Sequence, residues 1–438
     1  MPKLQVITLG CSKNTVDTEH LLFQVQDSYE IVPEGEQCPV DVLLINTCGF
    51  IGDAKEQSIN TILAAAQRKA AGEVGRLLVF GCLSQRYASE MPGLIPEVDG
   101  WFGARDLDPL IRALGCKPNP ALRHGRLMEG EYKPYAYLKI SEGCDRRCSY
   151  CAIPFIRGKH ISVPMETLVA EARSLAEKGV KELIIIAKDT TYYGLDLYGK
   201  RCLAELLRKL SEVEGIEWMR IHYSYPADFP EDVLEEMASN PKVCRYMDIP
   251  LQHVADAVLD KMHRHVDGAW TRELIRRMRE KVPGVALRTT LIVGHPGETE
   301  ACFKELVEFV KEARFQRMGA FTYSEEEGTF GAEHFKDSIR PSVKQKRLNE
   351  LMEVQRGISL AYNQSRIGTE TRVLVDGFSD GILVCRSEFE SPEVDGEILV
   401  KYSADAFGGA QPQSLVGRFL SVRITAADDY DLSAEVIC

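Results

Sequence analysis

The chain has 438 residues, 45% of them hydrophobic and 27% charged, with a net charge of −12 at neutral pH. That length exceeds one ordinary hydrophobic core and calls for two to four domains. The negative balance argues against a general phosphate-binding surface, and no apolar run nears the roughly 20 residues of a membrane-spanning helix. The first residues enter a strand-like alternation with no basic region, apolar core and cleavage site of a signal peptide, so the expected compartment is cytoplasmic. There the 13 cysteines are reduced thiols, and grouped ones are better read as metal ligands or catalysts than as disulfides.

Residues 1–120 alternate strand and helix signals. "KLQVITLGC" is a strand, and "TVDTEHLLFQVQ" has helical spacing. "VDVLLINTC" is a second strand, followed by the helix "DAKEQSINTILAAAQRKAA" with Asp53 as its expected cap, and "GRLLVFGC" is a third strand. This order predicts a flavodoxin-like parallel α/β domain. Each strand runs into a cysteine: Cys11, Cys48 and Cys82. The Pro- and Gly-rich stretch "CKPNPALRHGRLMEGEYKPY" reads as a linker, set at residues 121–134. A second series over residues 135–362 has the strands "YAYLKIS", "ELIIIAKDTT", "WMRIHYS", "YMDIPLQH", "VALRTTLIVG" and "RMGAFTYS". Helical patterns separate them, which suits a partial (βα)6 barrel with its chemistry at the strand C-termini. From residue 366 to 438 the pattern shortens to "ETRVLVDGF", "GILVCRSEF", "GEILVKYS" and "GRFLSVRITAA", a small antiparallel β-barrel.

The most specific motif is "SEGCDRRCSYC", which spaces Cys144, Cys148 and Cys151 as Cys-x3-Cys-x2-Cys after the first strand of the second domain. Three thiolates in one loop hold three irons of a 4Fe-4S cluster. With no fourth cysteine nearby, one iron stays open, whereas a structural zinc site wants four protein ligands. Other candidates fall at strand ends. Asp189, Thr190 and Thr191 follow the second strand, Gln252 and His253 the fourth, and Gly294, Gly297 and Glu298 the fifth, with Arg288 inside that strand. Each alone is equally a capping or turn residue; together, at the catalytic face of such a barrel, they favour cofactor or substrate contact. Asp189, Gln252, His253 and Arg288 are the catalytic candidates. Tyr150, Thr190, Gly294, Gly297 and Glu298 are the cofactor-binding ones.

Cys11, Cys48 and Cys82 lie 37 and 34 residues apart, so no local motif joins them. The fold does: ends of neighbouring parallel strands lie about 4.8 Å apart on one sheet edge, where ligands of open α/β sheets bind. The bland alternative is three small buried residues, since free cysteine is often buried. The other seven, Cys38, Cys116, Cys202, Cys244, Cys302, Cys385 and Cys438, show no spacing and read as structural.

Cys-x3-Cys-aromatic-Cys after the first strand of a partial barrel resembles the radical S-adenosylmethionine enzymes. That resemblance implies that S-adenosylmethionine binds the open iron and yields a 5′-deoxyadenosyl radical, with Tyr150 packed near cluster or adenine. With "LGCSKN", "NTCGF", "FGCLSQR" and a terminal TRAM-like barrel, the whole chain resembles the methylthiotransferase family. The resemblance then implies a second 4Fe-4S cluster on the N-terminal trio, whose open iron carries sulfur. One S-adenosylmethionine methylates that sulfur, and a second gives the radical that takes hydrogen from an unactivated substrate carbon. An electron donor is implied as a partner.

The family acts on adenosine in transfer RNA or on an aspartate of small-subunit ribosomal protein twelve. "PLQH" with "VADAVLDKM", "KDTTYYGLDLYG" and "SPEVDGEILV" resemble the ribosomal-protein (RimO-type) branch. Residues 366–438 hold six Lys and Arg against thirteen Asp and Glu, a balance of −7. That repels phosphates, so direct nucleic-acid binding is not expected, and it attracts a basic ribosomal protein. The expected activity is therefore methylthiolation of that aspartate's β-carbon. The alternatives are the transfer-RNA reaction and, in another class, an iron–sulfur electron carrier. "RGKHISVP" has Val163 where many members carry arginine, so that arginine's role is not carried over, and Arg157 is a candidate only.

Overall fold

The structure, a computed structural model, describes residues 1–437, and Cys438 lies outside the described residues. The first domain is a five-stranded parallel sheet in the order β2-β1-β3-β4-β5. Its strands are β1 (Lys3–Thr8), β2 (Glu30–Val32), β3 (Val40–Thr47), β4 (Val74–Gly81) and β5 (Gly100–Trp101). The short β2 and β5 extend the sheet beyond the three strands read from sequence. Leu43, Ile45, Leu77 and Val79 pack under the helix Gly52–Ala70, while Val42, Leu44, Leu78 and Phe80 pack under the helix Ser12–Val25. Two-sided burial explains the near-continuous apolar runs of β3 and β4. The expected Asp53 cap does not form: Ile51 precedes the helix and Asp53 lies inside its first turn, where its charge still faces the positive helix end.

The central domain opens with β6 (Tyr135–Lys139), and a two-residue antiparallel pair, β7 (Ser141–Glu142) with β8 (Ile161–Ser162), brackets the cysteine loop. Five strands then continue from β6: β9 (Glu182–Ile186), β10 (Trp218–Ile221), β11 (Val243–Asp248), β12 (Ala286–Val293) and β13 (Arg317–Thr322). These six form one parallel sheet in the order β13-β12-β11-β10-β9-β6. All six expected strands are present, and the sheet stays open between β13 and β6. Helices bury one face; the other carries Arg220, Tyr246, Asp248 and Arg288.

The last domain is a closed barrel of β14 (Glu370–Ser379), β15 (Ile382–Arg386), β16 (Ile398–Lys401), β17 (Phe419–Ala427) and β18 (Leu432–Val436). β18 is a fifth strand beyond the four read from sequence, and it pairs parallel with β16, so the barrel is not wholly antiparallel. Residues 387–395 insert against the polar face of the central sheet. Arg220 donates to the Glu388 carbonyl at 2.7 Å, Ser391 meets His222 at 2.8 Å, and the Tyr246 hydroxyl donates to Asp395 at 2.6 Å. Glu388, Glu390, Glu393 and Asp395 face Arg245, Arg317, Lys133 and Arg288. These four carboxylates of the last domain are paired inside the chain. Among the described residues, no helix is long and apolar enough to cross a membrane.

Candidate active site

Parallel register assembles the N-terminal trio. Thr47 of β3 pairs with Gly81 of β4, so Cys48 and Cys82 follow at matched positions on neighbouring strands. Thr8 of β1 pairs with Asn46. Three residues later Cys11 starts the helix Ser12–Val25, its carbonyl accepting from the Asn14 amide at 2.8 Å. The loop carrying Cys11 passes so close that a Cβ on Gly10 would lie 2.7 Å from Cys48 Cβ and 3.1 Å from Cys48 Sγ. Asn14 ties the tips together, donating to the carbonyls of Leu9 at 2.7 Å and Thr47 at 3.2 Å. Ser58 fixes Cys48, accepting from its amide and donating to its carbonyl.

The second trio is built by one loop. Cys144 donates its amide to Gly158 at 3.0 Å, Cys151 to Cys148 at 3.1 Å, and Ser149 to Met262 at 3.1 Å. Gly143 allows the loop to close on itself: its φ is +74°, and a Cβ there would lie 1.9 Å from the Lys159 carbonyl oxygen.

All six cysteines line one cavity of about 290 Å³, roofed by the N-terminal sheet edge and floored by the C-terminal strand ends of the central sheet. Among the described residues, the three-ligand groups of His, Cys, Asp and Glu drawn within 4.8 Å include neither trio. Sulfurs on one tetrahedral zinc, each about 2.3 Å from the metal, would sit about 3.8 Å apart. Three thiols converging at wider spacing fit a cluster of several irons.

The two trios differ electrically. Burial raises the Cys11 thiol, but Lys188, Lys13 and Arg157 outweigh it and lower it to about 7. Burial pushes Cys144 and Cys151 up to about 12, and it raises Cys48 as well.

Of the residues expected from sequence, Tyr150 and Gln252 line this cavity, and Gln252 holds a left-handed backbone at φ +72°. Asp189 stands one step back: it accepts from Arg146 Nε at 2.8 Å, and Arg146 lines the cavity. Thr190 is buried and donates to the His222 carbonyl at 3.0 Å, and Thr191 donates to Asp189 at 2.6 Å. His253, Gly294, Gly297 and Glu298 do not reach the cavity. Glu298 accepts from the Gly294 amide and from Arg347, both at 2.7 Å, and faces His253 at 3.5 Å. This group anchors the loop after β12 to the helix Pro341–Ser365. Arg288 lies elsewhere, paired with Asp248 at 2.8 Å in a separate cavity shared with Asp395 of the last domain.

Sequence reasoning missed Lys13, Lys188, Arg146, Arg264 and Tyr225, which also line the site. Lys13, Lys188 and Arg146 sit within two residues of singled-out positions, a usable signal. Arg264 and Tyr225 come from distant loops and left none. Arg157 bridges the two halves: it donates to Cys82 Sγ at 3.3 Å, to Asp17 at 2.7 Å and to Asn14 at 2.7 Å, and lies 3.2 Å from Glu142.

Comparison with known proteins agrees with this architecture. Residues 138–310 match the Radical SAM superfamily, 3–103 the Uncharacterized protein family UPF0004, and 367–437 the TRAM domain. The chain is 48% identical over 435 residues to the ribosomal protein uS12 methylthiotransferase RimO of Bacteroides fragilis, covering 99% of each. It is 49% identical over 436 residues to the protein of the same name from Porphyromonas gingivalis, again covering 99% of each. Among solved structures, the radical S-adenosylmethionine methyltransferase TsrM of Kitasatospora setae, with a cofactor analogue bound, shares the fold. The TM-score is 0.54 at 12% identity, over 95% of this chain and 83% of that one. On this full-length likeness the chain belongs to the RimO family of methylthiotransferases and is a radical S-adenosylmethionine enzyme that uses iron–sulfur chemistry.

Proposed function

We propose that this chain transfers a methylthio group to the β-carbon of an aspartate in ribosomal protein uS12, with Cys11, Cys48 and Cys82 holding one 4Fe-4S cluster and Cys144, Cys148 and Cys151 a second. The observation that carries this reading is the single cavity onto which both trios open. When bound, the clusters and S-adenosylmethionine supply the sulfur, the methyl group, the electron and the hydrogen-abstracting radical. An unactivated C–H bond offers no acidic proton and no leaving group, so the protein's task is positioning and shielding.

The side chains serve that task. Arg264 Nη1 stands 3.4 Å from Cys148 Sγ and Arg157 Nε 3.3 Å from Cys82 Sγ, so each trio has a guanidinium beside one of its sulfurs. Thiols held near 12 at Cys144 and Cys151 lose their protons when iron binds, whereas Cys11, near 7, is already partly thiolate at neutral pH. Phe50, Ile153, Ala187 and Pro250 exclude water from the walls. Tyr150 and Gln252 contact the bound groups directly. Asp189 orients Arg146, while Thr190, Gly294, Gly297, Glu298 and His253 hold the supporting loops. Arg288 belongs to the seat of the last domain rather than to the reaction. The reading places the enzyme in the cytoplasm with an electron donor as partner, and divides it into residues 1–120, 135–362 and 366–438 joined by the linker at 121–134.

The test is a comparison of uS12 and transfer RNA from cells with and without this gene by mass spectrometry. A methylthio shift on uS12 is expected; a shift on transfer RNA alone overturns the reading. Anaerobic iron should reach about eight per chain for two clusters, against about four for one.

A further inference from the structure

Away from the cavity of the two trios, three side chains with metal-ligand chemistry meet where the domains join. His20 lies on the helix Ser12–Val25, His124 in the linker, and Glu171 on the helix Met165–Glu177 of the central domain. One ligand atom from each lies within 4.8 Å of the other two. His20 Nε2 stands 3.3 Å from Glu171 Oε1, and His124 Nδ1 stands 3.7 Å from Glu171 Oε2. Nitrogen and oxygen ligands about 2.0–2.1 Å from a tetrahedral zinc sit about 3.3 Å apart, so small side-chain shifts close this set on one ion.

The carboxylate is the informative member. Glu171 is 3% exposed and shares the buried face of its helix with Leu168 and Leu175, where an apolar side chain would pack without cost. Its Oε1 accepts from Arg126 Nη1 at 2.8 Å. Its Oε2 is buried and, among the described residues, has no hydrogen-bond partner, and neither has His124 Nδ1. A buried carboxylate oxygen left bare is expensive, and a buried imidazole nitrogen facing it in the same state calls for an ion between them. The surroundings fix both groups. Arg126 also donates to Glu19 at 2.6 Å and to the Tyr137 carbonyl at 2.7 Å, so it clamps one oxygen of Glu171 and leaves the other free. The linker is pressed onto the first helix: the Leu127 amide donates to the Glu19 carbonyl at 3.2 Å, and a Cβ on Gly125 would collide with the Phe23 ring.

We infer that His20, His124 and Glu171 form a binding site for a zinc-class dication, separate from both cysteine trios. Two imidazoles and one carboxylate suit zinc and its borderline neighbours. Calcium and magnesium take oxygen donors, and copper(I) takes sulfur. Three protein ligands leave a fourth position for water, and the His124 side chain, 33% exposed, gives solvent and metal a way in. The ion ties the helix that begins after Cys11, the linker and the central domain together at one point. Its role is to fasten the N-terminal domain onto the barrel.

The experiment uses the full chain with its clusters reconstituted anaerobically, so that the cluster cysteines are occupied, and zinc alone as the probe. After loading and dialysis, wild-type protein should keep one zinc per chain with its iron unchanged. X-ray absorption at the zinc edge should show imidazole scattering and a nitrogen and oxygen shell at about 2.0–2.1 Å, without sulfur at about 2.3 Å. Zinc should also raise the urea midpoint, as a ligand of the folded state does. His124→Gln, on the linker, should keep iron, weaken zinc binding by more than about 100-fold, the upper range for losing a mere outer-shell partner, and erase the urea shift. Failure of wild-type protein to retain zinc overturns the site. So does a sulfur shell, which gives the metal to cysteines, or a shell without imidazole, which makes it an adventitious ion only. Equal zinc affinity in His124→Gln overturns it as well. If that variant loses iron or does not fold, the wild-type spectrum decides by the same criterion: imidazole scattering without sulfur upholds the site, and its absence overturns it.

Discussion

The two cysteine trios reach one cavity by opposite routes. Cys144, Cys148 and Cys151 belong to one eight-residue stretch whose backbone closes on Gly158 and Met262, so its geometry is local. Cys11, Cys48 and Cys82 come from three strands and meet only because β1, β3 and β4 are neighbours in register. The local trio sits among thiols raised by burial, whereas Cys11 of the assembled trio is surrounded by Lys188, Lys13 and Arg157. A loop can carry its metal site wherever the loop goes. A sheet edge carries one only while the fold around it is intact, and its charge environment is supplied by both domains.

The largest effect comes from removing either trio. Alanine at Cys144, Cys148 and Cys151 together should halve iron per chain and abolish 5′-deoxyadenosine formation under anaerobic reduction. Alanine at Cys11, Cys48 and Cys82 should also halve iron but leave 5′-deoxyadenosine formation in place and stop sulfur insertion. Unchanged iron in either triple variant breaks the assignment of that trio.

A single backbone change sharpens the contrast. Gly81 has φ +105°, and a Cβ there would lie 2.5 Å from Asn46 Oδ1 and 2.6 Å from the Thr47 carbonyl oxygen. Gly81→Ala must part the tips of β3 and β4, at a cost of about 3 kcal/mol from strain and overpacking. The strands that place Cys48 and Cys82 then lose register. The expected result is a chain with the iron of one cluster, retaining the barrel-loop signal in electron paramagnetic resonance. Loss of both signals would show that the loop trio depends on the sheet edge and is not local.

The difference between the trios is also the difference in what the sequence makes legible. Cys-x3-Cys-x2-Cys is readable because its ligands share one loop, and the six barrel strands are readable from their apolar runs. The N-terminal trio needs the strand order, which periodicity alone does not supply; the alternation of strand and helix licensed the parallel sheet, and the sheet licensed the convergence. Strand-end position proved a coarser guide. It found Gln252 but placed Arg288 with it, although the side chain of Arg288 turns toward the last domain, where Asp395 receives it. Arg264 and Tyr225 were hidden because their approach depends on loop paths between elements. The acidic count of the last domain is coarse for a related reason: composition does not say that Glu390 is committed to Arg317 and Arg366.

The smallest effect tests the seam that keeps the trios on one cavity. Asp17, from the helix that follows Cys11, pairs with Lys139 and with Arg157 of the central domain. Burial would raise its carboxyl, but Lys139 and Arg157 hold it at about 2, below its ordinary 3.8. A carboxyl depressed by folding stabilises the folded chain above its unfolded value and loses that contribution as pH falls from about 4 to 2. That contribution is on the order of 2 kcal/mol. Urea unfolding from pH 5 down to 2 should show that loss in the wild-type chain, and Asp17→Asn should remove this part of the pH dependence whatever its baseline stability. Equal slopes in the two proteins would mean that the seam is held by Arg126 with Glu19 and Glu171 instead, and that the N-terminal trio is kept over the barrel from its far side.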